Sequence, residues 1–139
     1  MELSIIILHH GSPREVTANL KALHSAELPK ETEIFVINNG RRGANKNISA
    51  PSFEYAQLSF HEIENRGYPQ GNNFGFDLAK GDFLCILNPD VVVQKDTFKI
   101  LLNYLKTHPH VGIVGPRLRY PDDKVQDNYR TFPRPFDLF

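Results

Sequence analysis

Apolar and polar residues in this chain come in blocks that switch between the period of a buried strand and that of a helix. Residues 3–8 (LSIIIL) are a nearly continuous apolar run, the pattern of a strand covered on both faces of a parallel sheet. Ser12, Pro13 and Glu15 follow. Ser12 is expected to cap a helix, Pro13 to supply a preset first-turn dihedral, and Glu15 to complete a capping box. Val16, Leu20 and Leu23 then give one narrow apolar stripe, and Pro29 stops the helix from running on.

Residues 33–37 predict a second strand, parallel to the first through a right-handed crossover. Residues 38–51 read as a polar surface loop, 55–60 as a third strand, 70–80 as a helix ended by Gly81, and 83–87 as another core strand. Asp96 is expected to cap the next helix. Its Phe98, Leu101, Leu102 and Leu105 hold the i, i+3, i+4, i+7 spacing of a buried face, and His108 and Pro109 close it. Residues 111–114 predict a short strand ended by Gly115 and Pro116. Pro116, Pro121, Pro133 and Pro135 then punctuate a tail with a hairpin about residues 121–124.

This alternation predicts an α/β fold, a doubly wound, mostly parallel sheet with flanking helices. Residues 1–115 would form the α/β domain and residues 116–139 an irregular tail or hairpin. With 139 residues and 40% hydrophobic content, the chain suits one domain that buries about two thirds of its unfolded surface. Sixteen basic residues balance sixteen acidic ones, so no global field draws the chain to nucleic acid or an anionic membrane. The single cysteine, Cys85, lies inside the apolar run FLCIL, which excludes a disulfide framework and fits a reducing compartment. No signal peptide or membrane span is legible, so a cytoplasmic location is expected. Without secretion, the acceptor triplet Asn47, Ile48, Ser49 reads as a chance match.

The candidate chemistry gathers in residues 65–90, where a Gly/Asn-rich loop, a helix, a strand and an acidic turn follow one another. A strand ending in Asn88, Pro89 and Asp90 sets a carboxylate at the carboxyl edge of the sheet, where open α/β sheets bind ligands. Asp90 is the expected ligand of a hard cation, Mg²⁺ or Mn²⁺, which takes few protein carboxylates and completes its shell with phosphate oxygens; a plain proline turn is the competing reading. In the loop, Gly67 and Gly71 would let backbone approach a ligand. The following helix start favours anions, and Arg66 adds charge for a phosphate. Ordinary turn glycines are the alternative. Asn38 and Asn39 end the second strand, either near a ligand or as an Asn-Gly turn with Gly40. His9 and His10 end the first, where a ring could stack on a base or serve structure alone. Asp82, Asp122, Asp123 and Asp127 read as solvated turn charges, and no histidine pair has zinc spacing. Neither GxGxxG after the first strand nor GxxxxGK[ST] occurs, which argues against a dinucleotide or nucleoside triphosphate domain.

Taken in order with LSIIIL at the start and HPHVGIVGPRLRY after the acidic turn, these motifs resemble the nucleotide-sugar half of the family 2 glycosyltransferases, in particular the rhamnosyltransferase-like branch. The likeness covers nearly the whole chain. It implies a GT-A, Rossmann-like fold, incomplete at its C-terminus, with LNPD as the metal-binding motif through Asp90. It also implies that Asn65 and Asn73 hydrogen-bond the donor and that Asn88 holds the turn or touches the sugar. Asn38 stands where the family usually has an aspartate that accepts the imide N–H of uracil or thymine, and a neutral acceptor forms the weaker bond. His9 and Asn72 depart from the tyrosine and arginine frequent at their positions. Arg130, Thr131, Phe132 and Pro133 resemble an Arg-x-Phe-Pro segment to which no chemistry is assigned.

The implied partners are a UDP- or dTDP-linked nucleotide-diphosphate sugar and a glycan or lipid-linked acceptor, joined by inverting transfer in the cytoplasm or peripherally at the inner face of the membrane. Relatives of this type continue beyond this length to supply an acceptor site and a catalytic base. The expectation is therefore a truncated donor-binding domain, with a catalytically inactive binding or assembly module as the alternative. An apolar flank left uncovered would favour a homo-oligomer.

Overall fold

The computed structural model describes residues 1–127. The elements run β1 (Leu3–His9), α1 (Pro13–Ser25), β2 (Thr32–Asn38), a 3-10 turn (Ala44–Asn47), β3 (Ala56–Glu62), α2 (Tyr68–Leu78), β4 (Phe83–Ile86) and α3 (Thr97–Thr107). The four strands make one parallel sheet in the order β3-β2-β1-β4. Three strands advance to one side; α2 then carries the chain back across so that β4 lands on the other side of β1. The order reverses between β1 and β4, and a crevice at the carboxyl ends of the strands belongs there.

Every residue of β1 and β2 is buried, because helices cover both faces of this central pair. Leu3, Ile5, Ile7, Ile34 and Val36 meet Val16, Leu20 and Leu23 of α1 and Phe98 and Leu102 of α3. The alternate residues Ile6, Leu8, Phe35 and Ile37 meet Phe74 and Leu78 of α2. The period-2 alternation of strands thus feeds two apolar layers, and the doubly wound expectation holds. Helix α2 lies close on the sheet because glycines face it: a Cβ on Gly71 would stand 2.6 Å from both Leu8 methyls, and one on Gly75 2.7 Å from Ile6 Cγ2.

At the amino end of the sheet a buried polar knot ties three segments together. The Ser4 hydroxyl donates to Glu33 Oε1 at 2.6 Å, the Lys80 amide donates to the same oxygen at 2.6 Å, and the Gly81 amide donates to Ser4 Oγ at 2.8 Å. Three donated bonds thus satisfy a buried carboxylate and the hydroxyl beside it. Gly81 does not terminate α2 as expected. The helix stops at Leu78 with an extended Ala79, Gly81 has no left-handed φ, and its Cβ would stand 2.6 Å from the Ser4 nitrogen. Close backbone approach, rather than helix termination, requires glycine there.

Three other expectations are corrected. Ser12 precedes α1, but its backbone (φ −107°, ψ 64°) is not extended and its side chain makes no cap bond; the capping box with Glu15 does not form. Asp96 likewise precedes α3 at φ −100°, ψ 4° without a side-chain cap, since capping needs the extended backbone that aims an oxygen at the first-turn amides. Residues 111–114 form no strand. They have no neighbouring strand among the described residues, Gly112 interrupts the segment, and Ile113 is 91% exposed. The expected hairpin is present: Arg119 and Val125 form an antiparallel bridge around residues 121–124. Arg130, Thr131, Phe132 and Pro133 lie outside the described residues.

Among the described residues β4 has a neighbour on one side only, and Leu84 and Ile86 on its α2-side face are 52% and 49% exposed. This uncovered edge follows from α2 packing over β1 and β2. Among the described residues no helix is long and apolar enough to cross a membrane.

Candidate functional site

The strand register brings the predicted residues to one edge. His9 pairs with Asn38 at the carboxyl ends of β1 and β2, and the Asn39 amide donates to the His9 carbonyl at 3.1 Å. β4 pairs with β1 up to Ile6↔Ile86, so residues 88–90 emerge beside the end of β1. The Gly/Asn-rich loop arrives from the end of β3 and enters α2 at the same edge.

The loop is built by its own asparagines and glycine. Asn65 Oδ1 accepts the Gly67 amide at 3.0 Å, an Asx turn, and lies at 3.5 Å from Asn39 Nδ2. Gly67 sits at φ 94°, ψ 168°, a conformation open essentially to glycine alone. Tyr68 and Pro69 then start α2 with no side-chain cap; proline has no N–H, so the Tyr68 and Gln70 amides are the first-turn donors left at the helix's partial positive end. Arg66 bridges to Glu64 at 2.7 Å, both side chains largely exposed. Gly71 and Asn73 part company: Gly71 faces Leu8 in the helix–sheet contact, whereas Asn73 is exposed. The close approach at Gly71 is thus to the sheet.

The acidic turn meets this loop. The Tyr68 hydroxyl donates to Asn88 Oδ1 at 3.2 Å, and the Val91 amide donates to the Asn88 carbonyl at 3.2 Å, closing a turn with Pro89 and Asp90 inside it. From below, the Asn19 amide of α1 donates to the carbonyls of Asn88 at 3.2 Å and Val91 at 2.7 Å. Asp90 is exposed and lines a cavity of about 650 Å³ with Val91, Asp96, Thr97, Arg117 and Arg119.

The β2 side is differently organised. Asn38 is 1% exposed; its Oδ1 accepts the Gly40 amide at 2.9 Å and its Nδ2 donates to the Arg41 carbonyl at 2.8 Å. Both ends of the amide serve its own turn. A groove of about 340 Å³ opens alongside, lined by Asn38, Gly40, Arg42, Glu62, Ile63 and Glu64. His9 is 2% exposed. Its Nε2 pairs with Asn45 Oδ1 at 2.8 Å, which fixes the Nε2–H tautomer and leaves Nδ1 a buried acceptor without a partner. Burial lowers the His9 pKa below the ordinary imidazole value, against the opposing pull of the Asn45 bond and the Glu62 carboxylate. The ring is a neutral structural post rather than an exposed stacking platform.

Sequence reading missed Asn19, Tyr68 and Asn45. Asn19 left a signal, since it interrupts the buried stripe Val16, Leu20, Leu23 at helical spacing, and a polar residue on a buried face needs partners. Tyr68 and Asn45 act across 20 and 36 residues of sequence, a pairing no local pattern announces.

A hard divalent cation suits Asp90. Its carboxylate stands exposed on a fixed turn, and open volume beside it can admit phosphate oxygens and water. Among the described residues no group of three or more His, Cys, Asp or Glu side chains converges, so such a cation would depend on a ligand for much of its shell, the usual arrangement for nucleotide-bound Mg²⁺.

Known proteins share this architecture. The glycosyltransferase YfnE of Bacillus subtilis, itself uncharacterised, is 28% identical over 109 residues, which are 78% of this chain and 27% of that one. The Staphylococcus aureus TarS 1-349 structure in complex with UDP-GlcNAc superposes with a TM-score of 0.62 at 20% identity, covering 78% of this chain and 32% of that one. The mannosyltransferase PcManGT from Pyrobaculum calidifontis, in complex with GDP-Man and Mn²⁺, gives 0.65 at 17% identity, covering 88% and 36%. The chain therefore spans about a third of each protein it matches here. The glycosyl transferase family 2 model matches residues 4–138, nearly the entire sequence, and the chain belongs to that family.

Proposed function

We propose that residues 1–127 bind a nucleotide-diphosphate sugar together with a divalent metal ion, as the donor side of an inverting sugar transfer to a glycan or lipid-linked acceptor. The observation that carries this reading is the Tyr68–Asn88 hydrogen bond. It joins the uncapped start of α2 to the turn bearing Asp90, so an anion site and a cation ligand share one edge. Asp90 would hold Mg²⁺ or Mn²⁺, which supplies charge neutralisation for the departing diphosphate. The first-turn amides of α2 and Arg66, once released from Glu64, would meet the phosphates. Asn65 and Gly67 shape that approach, and Asn73 and Asn88 offer amides to the sugar. The groove beside Asn38 and Asn39 would receive the base. That TarS has been seen with UDP-GlcNAc and PcManGT with GDP-Man and Mn²⁺ supports the ligand class.

Calorimetry with UDP, dTDP and GDP, each with and without Mn²⁺, tests it. Metal-dependent binding that Asp90→Ala removes is the expected result; binding unchanged in that variant refutes the metal assignment. A second reading, a module that has lost tight nucleotide binding, is favoured by one observation. Both polar ends of Asn38 are engaged within its own turn and the residue is buried, so its Oδ1 is not presented to an incoming imide N–H. Absence of binding at millimolar nucleotide would support it.

A further inference from the structure

We infer that Asn19 is a positioning residue for the metal site: it holds the Asp90 turn in the geometry in which its carboxylate can coordinate. The inference rests on the donor-binding reading above and adds a residue remote in sequence from every motif. Asn19 is 1% exposed and lies on the inner face of α1 between Val16, Leu20 and Leu23. An apolar side chain would suit that stripe. An amide there carries a standing cost, because its Oδ1 is buried without a partner, and an unmet buried acceptor is destabilising. What the amide gains is two donated bonds, to the carbonyls of Asn88 and Val91.

Those two carbonyls bracket Pro89 and Asp90, and the Val91 amide closes the same turn onto Asn88. Pro89 fixes one dihedral, while Asn19 fixes both ends. β4 could not do this by itself, since it is four residues long and bonded on one side. Asn19 instead ties the turn to α1, which packs on the fully buried strands. Groups that orient a metal ligand without touching the metal typically govern affinity by about 10- to 100-fold.

The test is Asn19→Leu, which keeps the branched outline of the side chain and suits the apolar stripe, compared with Asp90→Ala and the unaltered chain. Two readouts are needed. In the ligand-free protein, amide hydrogen exchange by NMR should show Val91, whose amide closes the turn onto the Asn88 carbonyl, losing protection while Ile5 and Ile34 keep theirs, with the thermal midpoint held. In calorimetry, Mn²⁺-dependent UDP affinity should fall about tenfold or more while metal-free UDP binding is unchanged. Unaltered exchange at Val91 overturns the inference whatever the nucleotide does. So does a variant that loosens the turn yet binds Mn²⁺–UDP as the unaltered chain does, provided Asp90→Ala abolishes that binding. If Asp90→Ala leaves binding intact, the donor-site reading is what fails, and with it the metal role assigned to Asn19.

Discussion

Replacing Gly81 by alanine probes the polar knot beneath the sheet. The added Cβ would stand 2.6 Å from both the nitrogen and Oγ of Ser4 and 2.8 Å from the Leu3 carbonyl carbon. Two of these atoms are backbone of β1, which is bonded on one side to β2 and on the other to β4, so the strand cannot retreat. The segment carrying Gly81 must move instead, and the Gly81 amide bond to Ser4 Oγ stretches with it. Overpacking of this kind costs roughly 1–3 kcal/mol, and a lost hydrogen bond adds about 1 kcal/mol. Gly81 lies outside any helix, so no gain in helix propensity offsets either term. A loss of about 3 kcal/mol should lower the urea midpoint by roughly 1–3 M at the usual slope for a small domain. Gly112→Ala is the control, since its Cβ meets nothing within 4 Å. Equal urea midpoints for the two variants would refute the close-approach account.

Two further outcomes follow from burial. Burial pushes the Cys85 thiol up to about 11, so at pH 8 only about a thousandth is thiolate; alkylation by iodoacetamide should run at least roughly a hundredfold slower in the folded chain than in guanidinium, and equal rates would show that the strand exposes the sulfur. His9 is held neutral by burial, so the unfolded chain takes up its proton first as pH falls below about 6.5. Stability contributed by neutral His9 is whole above that value and declines below it, down to the lowered folded pKa. Thermal midpoints measured from pH 7.5 to 5 should therefore fall less steeply in His9→Gln than in the unaltered chain; parallel curves would show that His9 is not the group responsible.

Much of the fold was legible because the apolar blocks were unambiguous. The run at residues 3–8 read as a strand covered on both faces, residues 33–37 as its parallel neighbour, and the Phe98–Leu102 stripe as a helix with one buried face. The caps were not legible, because Ser12 and Asp96 have capping chemistry but not the backbone angles that use it. Residues 111–114 misled for a related reason: strand propensity needs a neighbouring strand, and sequence does not show whether one is there. At the site, Asn88 and Asp90 fell where reading from the strand end put them. Gly71 and Gly81 were glycines for packing rather than for a ligand or a helix end, a distinction that depends on atoms far away in the chain. Asn38 kept its place at the strand end but turned its amide inward.

The uneven coverage of the sheet has a mechanical consequence. β1 and β2, sealed beneath three helices, should open only with the whole molecule, whereas β4, short and held along one side, belongs to the part that loosens first. The proposed cleft therefore has one stiff wall and one compliant wall, and the carboxylate turn joins them, continuous with β4 along the chain and pinned to α1 by Asn19. A ligand spanning both walls would brace β4 against β1, so occupancy should register as slower exchange along residues 83–86 well before it raises the unfolding temperature.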